Sequence, residues 1–200
     1  MVYKTHQKFA ISWAFLGTML LYANNLMQIN YYIALILMIP YVKVGAAFPD
    51  LDHSWENVKN KNLATFIVNR LIHLTGGQHR SWQTHSLDLA VWFTILSYFG
   101  PTLLYKQGIL KIDLVSLTII NIILVGFSIG WLSHIFADML TSGKIRLISF
   151  LDFEVGFVPR KFLWINFNTG GGWEEFVGDS VGFLNTFIML IAIAYGMYIN

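Results

Sequence analysis

An all-α integral membrane bundle of about five transmembrane helices is the fold this sequence predicts, on three observations. Of its 200 residues, 56% are apolar, and the mean hydropathy is +0.56. Only 12% are charged, against about 25% in soluble domains. The apolar residues are also gathered into uncharged stretches close to the ~20 residues that cross a hydrocarbon core.

The spans follow in chain order. Phe9 to Val42 carries no charge, but Asn24, Asn25, Gln28 and Asn30 interrupt it and divide it into two spans joined by a short polar turn. The first is short, as suits a tilted or partly interfacial helix. Leu87 to Tyr105 forms the third, with Asp88 at its start and Gly100-Pro101 near its end; such breakers are tolerated where neighbouring helices cover the freed backbone. Leu114 to Ala137 and Ser180 to Asn200 are free of charge and form the fourth and fifth. The basic start, Met1 to Lys8, also fits a signal-peptide n-region, but no small-x-small cleavage site follows it.

Residues 1–200 read as a single membrane-embedded domain, without internal repeat, low-complexity tract or separating linker. Two polar connections, Ser54 to Gln78 and Thr141 to Asp179, are long enough to form a lid or a cap over a site. The absence of cysteine excludes disulfides and thiolate metal sites. A net charge of +2 without a long cationic run argues against nucleic acid as a partner.

Five of the six histidines stand in short polar patches. These are Thr5-His6, Pro49-Asp50-Leu51-Asp52-His53, His79-Arg80 with Thr84-His85-Ser86, and His134-Ile135-Phe136-Ala137-Asp138. His73 belongs to none of them and reads as a loop histidine. If the five helices alternate in direction, His6 precedes the first and the Asp50 patch follows the second. The His79 patch then precedes the third, and Asp138 closes the fourth, so all four patches share one membrane face. Lys4, Lys8, Lys59, Lys61, Arg70, Arg80, Lys144, Arg146, Arg160 and Lys161 fall on that face, and only Lys106 and Lys111 fall opposite. By the positive-inside rule the patches face the cytoplasm from an inner or plasma membrane. Lys43, inside the second span, snorkels toward the same face or pairs with a carboxylate there.

His134 and Asp138 are four apart on a helix and project from one stripe, where they either grip one ion or satisfy each other as a polar contact. An aspartate at the end of so apolar a helix is costly unless exposed, paired or coordinated. Asp50, Asp52 and His53 cannot share one helical face, so they read as a helix end or turn; capping aspartates in a polar loop are the alternative. Of His79 and His85, one belongs to the loop and one to the first turn of the third span, with Thr84 and Ser86 as available caps. Arg80 serves either a substrate or a lipid phosphate.

Together His6, Asp50, Asp52, His53, His79, His85, His134 and Asp138 supply eight nitrogen and oxygen donors. Imidazoles and carboxylates without sulfur suit zinc first, then Mn, Fe or Ni. Eight donors exceed the needs of one ion, and two or three divalent ions relieve the repulsion among three carboxylates. Such a site lowers the pKa of bound water and serves hydrolysis. Gly126-Phe127-Ser128-Ile129-Gly130 matches a nucleophile-elbow pattern, but it lies mid-span, where its glycines serve close helix packing.

The Pro49-Asp50-Leu51-Asp52-His53 patch, the His79-Arg80 to Thr84-His85-Ser86 patch, and Leu132-Ser133-His134-Ile135-Phe136-Ala137-Asp138-Met139-Leu140-Thr141 followed by Gly143 resemble the YdjM-type membrane-bound metal-dependent hydrolases. His6 and the segment Gly170 to Glu174 are similar to that family's opening histidine and late glycine-to-glutamate motif. The family is in turn distantly similar to zinc-dependent phospholipase C and the fungal zinc nucleases. The resemblance implies that the eight donors ligate metal, that Arg80 binds a phosphate oxygen, and that Glu174 supports the site or positions a lid. Two departures stand out: one residue more between His79 and His85 than is common in the family, and Arg146-Leu147-Ile148-Ser149-Phe150 where a proline-rich stretch is usual.

The expected function is hydrolysis of a phosphoester of a lipid or amphiphile by a metal-activated water, with Asp50 or Asp52 orienting that water or acting as base. Membrane lipids are the expected partners. The alternative is a metal transporter or metal-binding scaffold. Transport sites usually lie near the midplane, whereas these donors sit at span ends.

Overall fold

The polar interruptions between the apolar stretches become turns, and the stretches become helices, in the computed structural model. It describes residues 3–23, 29–59, 61–78, 80–140, 144–151, 153–156, 161–162, 165–166 and 171–199. Helix α1 runs Tyr3–Ala23 and α2 Tyr31–Ala47; two 3-10 turns, Pro49–Asp52 and Trp55–Asn57, lead to α3, Leu63–Leu74. A single turn, α4 (Trp82–His85), precedes α5 (Leu87–Lys106), α6 (Leu114–Met139) and α7 (Gly172–Ile199). Between α6 and α7 lie two short antiparallel ribbons, β1 (Ile145–Arg146) with β2 (Glu154–Val155), and β3 (Lys161–Phe162) with β4 (Ile165–Asn166).

Local chemistry sets the ends. The Asn30 side chain accepts from the Tyr32 amide to start α2, and Asp113 accepts from the Ser116 amide to start α6. Asn62 and Thr65 form a reciprocal capping box on α3. Gly76 and Gly108, at φ +80° and +71°, turn the chain out of α3 and α5 in the left-handed conformation that glycine adopts without penalty. Pro49 stops α2 one residue beyond its cap, Phe48.

Among the described residues, four helices are long and apolar enough to cross a membrane: Tyr31–Asp52, Leu87–Lys106, Leu114–Met139 and Gly172–Tyr198. Helix α1, whose opening turns carry Lys4, His6, Gln7 and Lys8, falls outside that set. The lipid-facing surfaces are easy to read. Trp92, Leu96, Phe99 and Leu103 on α5, and Phe183, Phe187 and Leu190 on α7, are all exposed.

Inter-helix contacts give the directions. Gln7 Nε2 donates to the Lys43 carbonyl at 3.1 Å and Thr18 Oγ1 meets Met38 Sδ at 3.4 Å, so α1 and α2 are antiparallel. Trp131 Nε1 donates to the Thr84 carbonyl at 2.7 Å and Asn121 meets Thr102 at 3.4 Å, so α5 and α6 are antiparallel too. Lys8 reaches Asp179 and Ser12 meets Asn185, so α1 and α7 run together.

The centre is the parallel pair α2 and α6. A Cβ on Gly45 would overlap the Phe127 carbonyl, one on Gly130 the Val42 carbonyl, and one on Gly126 would lie 3.2 Å from Met38 Cγ. Small residues at one seam let two backbones touch, in the role expected of the Gly126 and Gly130 pattern. Val42 and Gly130, then Ala46 and His134, meet along that seam, with Ala10, Ala14, Ala34 and Ile129 packed about it. As a result α1, α5 and α7 begin at the face where α2 and α6 end.

Two expectations are corrected. The Ser54 to Gln78 connection is not simply polar but contains α3. His73 is not a loop histidine: it closes α3, with Nδ1 2.9 Å from the Gly77 carbonyl and Nε2 3.2 Å from that of His53.

Candidate metal centre

Three helix ends deliver the site. His6 comes from the start of α1, Asp50 from the 3-10 turn that continues α2, and His134 and Asp138 from the last turns of α6. His85 closes α4 just before α5 begins. His6, His85, His134 and Asp138 are each no more than 2% exposed.

His6, His134 and Asp138 can each offer one donor atom within 4.8 Å of the others, the one such group among the described residues. The imidazoles of His6 and His134 are stacked, their centroids 3.7 Å apart at 6°. Around the Asp138 carboxylate stand His6 Nε2 at 3.4 Å, His134 Nε2 at 3.6 Å, His85 Nε2 at 3.7 Å and Arg80 Nη2 at 3.9 Å. His134 Nε2 also lies 3.8 Å from Asp50 Oδ1, and His53 Nε2 3.9 Å from that same oxygen.

These separations bear on the chemistry of the group. They exceed the ~2.7–3.2 Å of an N–H···O hydrogen bond. Donors ~2.0–2.2 Å from one tetrahedral ion would be roughly 3.4 Å apart. The imidazole spacings about Asp138 fit a group able to hold an ion. The buried Nε2 of His134, the nitrogen that faces Asp138, has no hydrogen-bond partner, the condition in which an imidazole nitrogen is available to an ion. Burial, with the stacked His134 ring second, holds the His6 imidazole down at about 4. His6, ahead of the apolar span from Phe9, is therefore neutral and able to ligate.

A second layer orients the rings. His134 Nδ1 donates to the Ala46 carbonyl at 2.7 Å, which leaves the lone pair on Nε2. His85 Nδ1 stands 3.0 Å from Asp52 Oδ2, which also accepts from Thr84 Oγ1 at 2.7 Å and from the Arg80 amide at 2.8 Å. Asp52 is only 1% exposed. Its Oδ2 is turned to protein donors. Arg80 holds its position at φ +62°, a left-handed backbone that costs a non-glycine residue about 1 kcal/mol or more.

The remaining expected residues are placed as follows. His53 is at the rim, its carbonyl accepting from Asn69 at 2.8 Å. Glu174 is buried in the first turn of α7, beside Trp173, whose Nε1 donates to the Leu140 carbonyl at 3.2 Å. His79 lies outside the described residues. A cavity of about 840 Å³ opens beside Asp50 and His53, and Val44, Ala47, Phe127, Lys59 and Lys61 are among its lining residues.

Sequence reasoning missed Thr84 as an Asp52 donor, Trp131 as the clamp on the Thr84 carbonyl, and Asp88. Asp88 accepts from the Ser149 amide at 3.0 Å and its hydroxyl at 2.8 Å, pinning the segment after α6 to α5. Thr84 was visible only as a potential cap, and a tryptophan inside an apolar span gives no signal of its own.

No curated protein and no solved structure matches the chain at a significant level. The profile of the YdjM inner membrane protein family matches residues 1–199. With its apolar helices and a buried histidine and aspartate group able to hold a metal ion, this chain belongs to the YdjM inner membrane protein family.

Proposed function

We propose that the protein is a membrane-bound metal-dependent hydrolase acting on a phosphoester of a lipid or other amphiphile. The observation that carries the reading is the ring of imidazole and carboxylate donors around Asp138 at coordination spacing. His6, His134 and Asp138 would hold one divalent ion, zinc by the donor chemistry, and His85 and Asp50 lie close enough to complete it or share a second. Such ions lower the pKa of water and stabilise charge on both sides of an in-line displacement.

The chain's own groups have distinct tasks in this reading. Asp50, half-buried at the cavity edge, receives the proton of the attacking water. Asp52 holds the His85 ring in its tautomer and orientation instead of ligating. Arg80, its guanidinium 3.9 Å from Asp138, binds a phosphate oxygen and opposes the charge that develops on it. Glu174 supports the site from α7.

The cavity favours an amphiphile. Its lining combines Val44, Ala47 and Phe127, which suit an apolar chain, with Lys59 and Lys61, which suit an anionic headgroup. Those lysines and Arg70, against Lys106 and Lys111 at the other end of the helices, support a cytoplasm-facing site by the positive-inside rule.

Purified protein assayed for bound metal and against a panel of phosphodiesters and phosphomonoesters, lipids included, tests the proposal. Turnover abolished by chelation and restored by one metal is the expected result. Bound metal without turnover of any substrate, together with metal flux into proteoliposomes, would identify a transporter instead.

A further inference from the structure

Helix α3 is apolar on the wrong side for a helix in water. Leu63, Phe66, Ile67, Leu71 and Leu74 all point outward and are exposed, Leu63 by 76% and Leu74 by 82%. The inward side carries Thr65, Val68, Asn69, Ile72 and His73. That side is anchored: Asn69 Nδ2 donates to the Leu51 carbonyl at 2.6 Å and the His53 carbonyl at 2.8 Å, and His73 Nε2 meets the latter at 3.2 Å. A water-facing helix would show the opposite pattern.

Nor can α3 cross a bilayer. Its 12 residues extend about 18 Å at 1.5 Å each, against ~30 Å of hydrocarbon. It packs instead on the Pro49–Asp52 turn, where α2 leaves its apolar span. Aromatic and cationic groups crowd the same place: Arg70 lies over the Phe66 ring at 5.0 Å and Lys61 over Trp55 at 5.9 Å. Trp55 and Phe66 meet edge to face at 5.2 Å. Such mixtures sit at headgroup level, ring and stem in the apolar layer and charge among phosphates.

We propose that α3 is an in-plane interfacial helix, its outward apolar stripe embedded at the headgroup–acyl boundary of the bilayer that α2, α5, α6 and α7 cross, with Lys59, Lys61 and Arg70 against anionic headgroups. Lipid is favoured over a second copy of the chain because the stripe continues from the exit of a membrane span and is bordered by cations. Ala64, Thr65 and Val68 of α3 also line the cavity beside Asp50. The helix therefore sets that cavity at headgroup depth. Nothing in this assignment requires a metal or turnover.

The chain has no cysteine, so single spin labels can be placed cleanly at Ile67→Cys and Leu71→Cys. Gln107→Cys, in the exposed turn after α5, serves as the aqueous reference. Proteins that elute as the wild type are reconstituted in phosphatidylethanolamine–phosphatidylglycerol vesicles and probed for collision with oxygen and with a water-soluble nickel chelate. The expected result is an oxygen-to-nickel ratio several-fold above that at Gln107→Cys, at a depth of about 5–10 Å, unchanged at one copy per nanodisc. A ratio equal to the reference would overturn the proposal. So would labels shielded from both reagents and broadened by a neighbouring spin, which would mean that a second copy covers the stripe.

Discussion

Nε2 of His134 stands 3.6 Å from Oδ2 of Asp138, one helical turn further along α6, while Nδ1 of the same ring is committed to the Ala46 carbonyl. In the neutral ring the Nε2 lone pair then faces that carboxylate across 3.6 Å, longer than an ordinary hydrogen bond. A buried arrangement of facing acceptors is stable when a cation lies between them. His134→Ala and Asp138→Ala are accordingly expected to abolish high-affinity metal binding, read as metal per protein by elemental analysis. Full stoichiometry in both would remove the basis of the site.

Asp52→Asn separates an orienting carboxylate from a ligand. If Asp52 acts through His85, metal affinity should fall about 10–100-fold with stoichiometry retained at saturation. Competition with a calibrated chelator measures this. Loss of an ion at saturation would make Asp52 a ligand itself.

The α2–α6 seam predicts a contrast between glycines. Gly130→Ala and Gly45→Ala press a methyl group onto a carbonyl of the facing helix, and overpacking of this kind costs about 1–3 kcal/mol or more. Gly182→Ala in α7, whose methyl group would meet only the Lys8 side chain at an ordinary 3.8 Å, should instead stabilise slightly, by up to about 1 kcal/mol through helix propensity. Thermal unfolding in detergent compares them.

Trp131→Phe leaves the buried Thr84 carbonyl without its 2.7 Å donor, at an expected cost of about 1–3 kcal/mol. Lys8→Met tests the other extreme. Its pairing with Asp179 is 41% and 83% exposed, so stability should change by less than about 1 kcal/mol. Equal losses in the two variants would contradict this ranking.

Through His6, acidification should weaken the metal-free protein. His6 is held neutral down to about 4 in the fold but titrates near 6.5 once unfolded. The unfolded chain therefore binds the extra proton first, and stability falls as pH drops from 6.5 toward 4. In the presence of a chelator, His6→Gln should flatten that part of the profile. An unchanged slope would show that another group carries it.

The fold was legible because membrane spans are written in composition: runs without charge had to be helices, and alternating their direction was enough to put His6, Asp50, His85 and Asp138 at one face. Glycine spacing at Gly126 and Gly130 announced a seam, though not that Gly45 would complete it. The donors were visible as residue types. Their division into those around Asp138 and those that orient them was not, because it depends on which carboxylate oxygen meets Thr84, an amide and a ring. Helix α3 was overlooked because its asparagine, arginine and histidine made the segment look polar. Its Leu63, Ile67, Leu71 and Leu74 spacing was the signal.

The glycine seam makes α2 and α6 a single stiff keel, and His134 travels with the carbonyl that orients it. His6 belongs to a different helix, which meets the keel through side-chain contacts such as Gln7 with the Lys43 carbonyl and Thr18 with Met38. Bilayers of different thickness impose different helix tilts, and the separation that would respond is the one between the two stacked imidazoles.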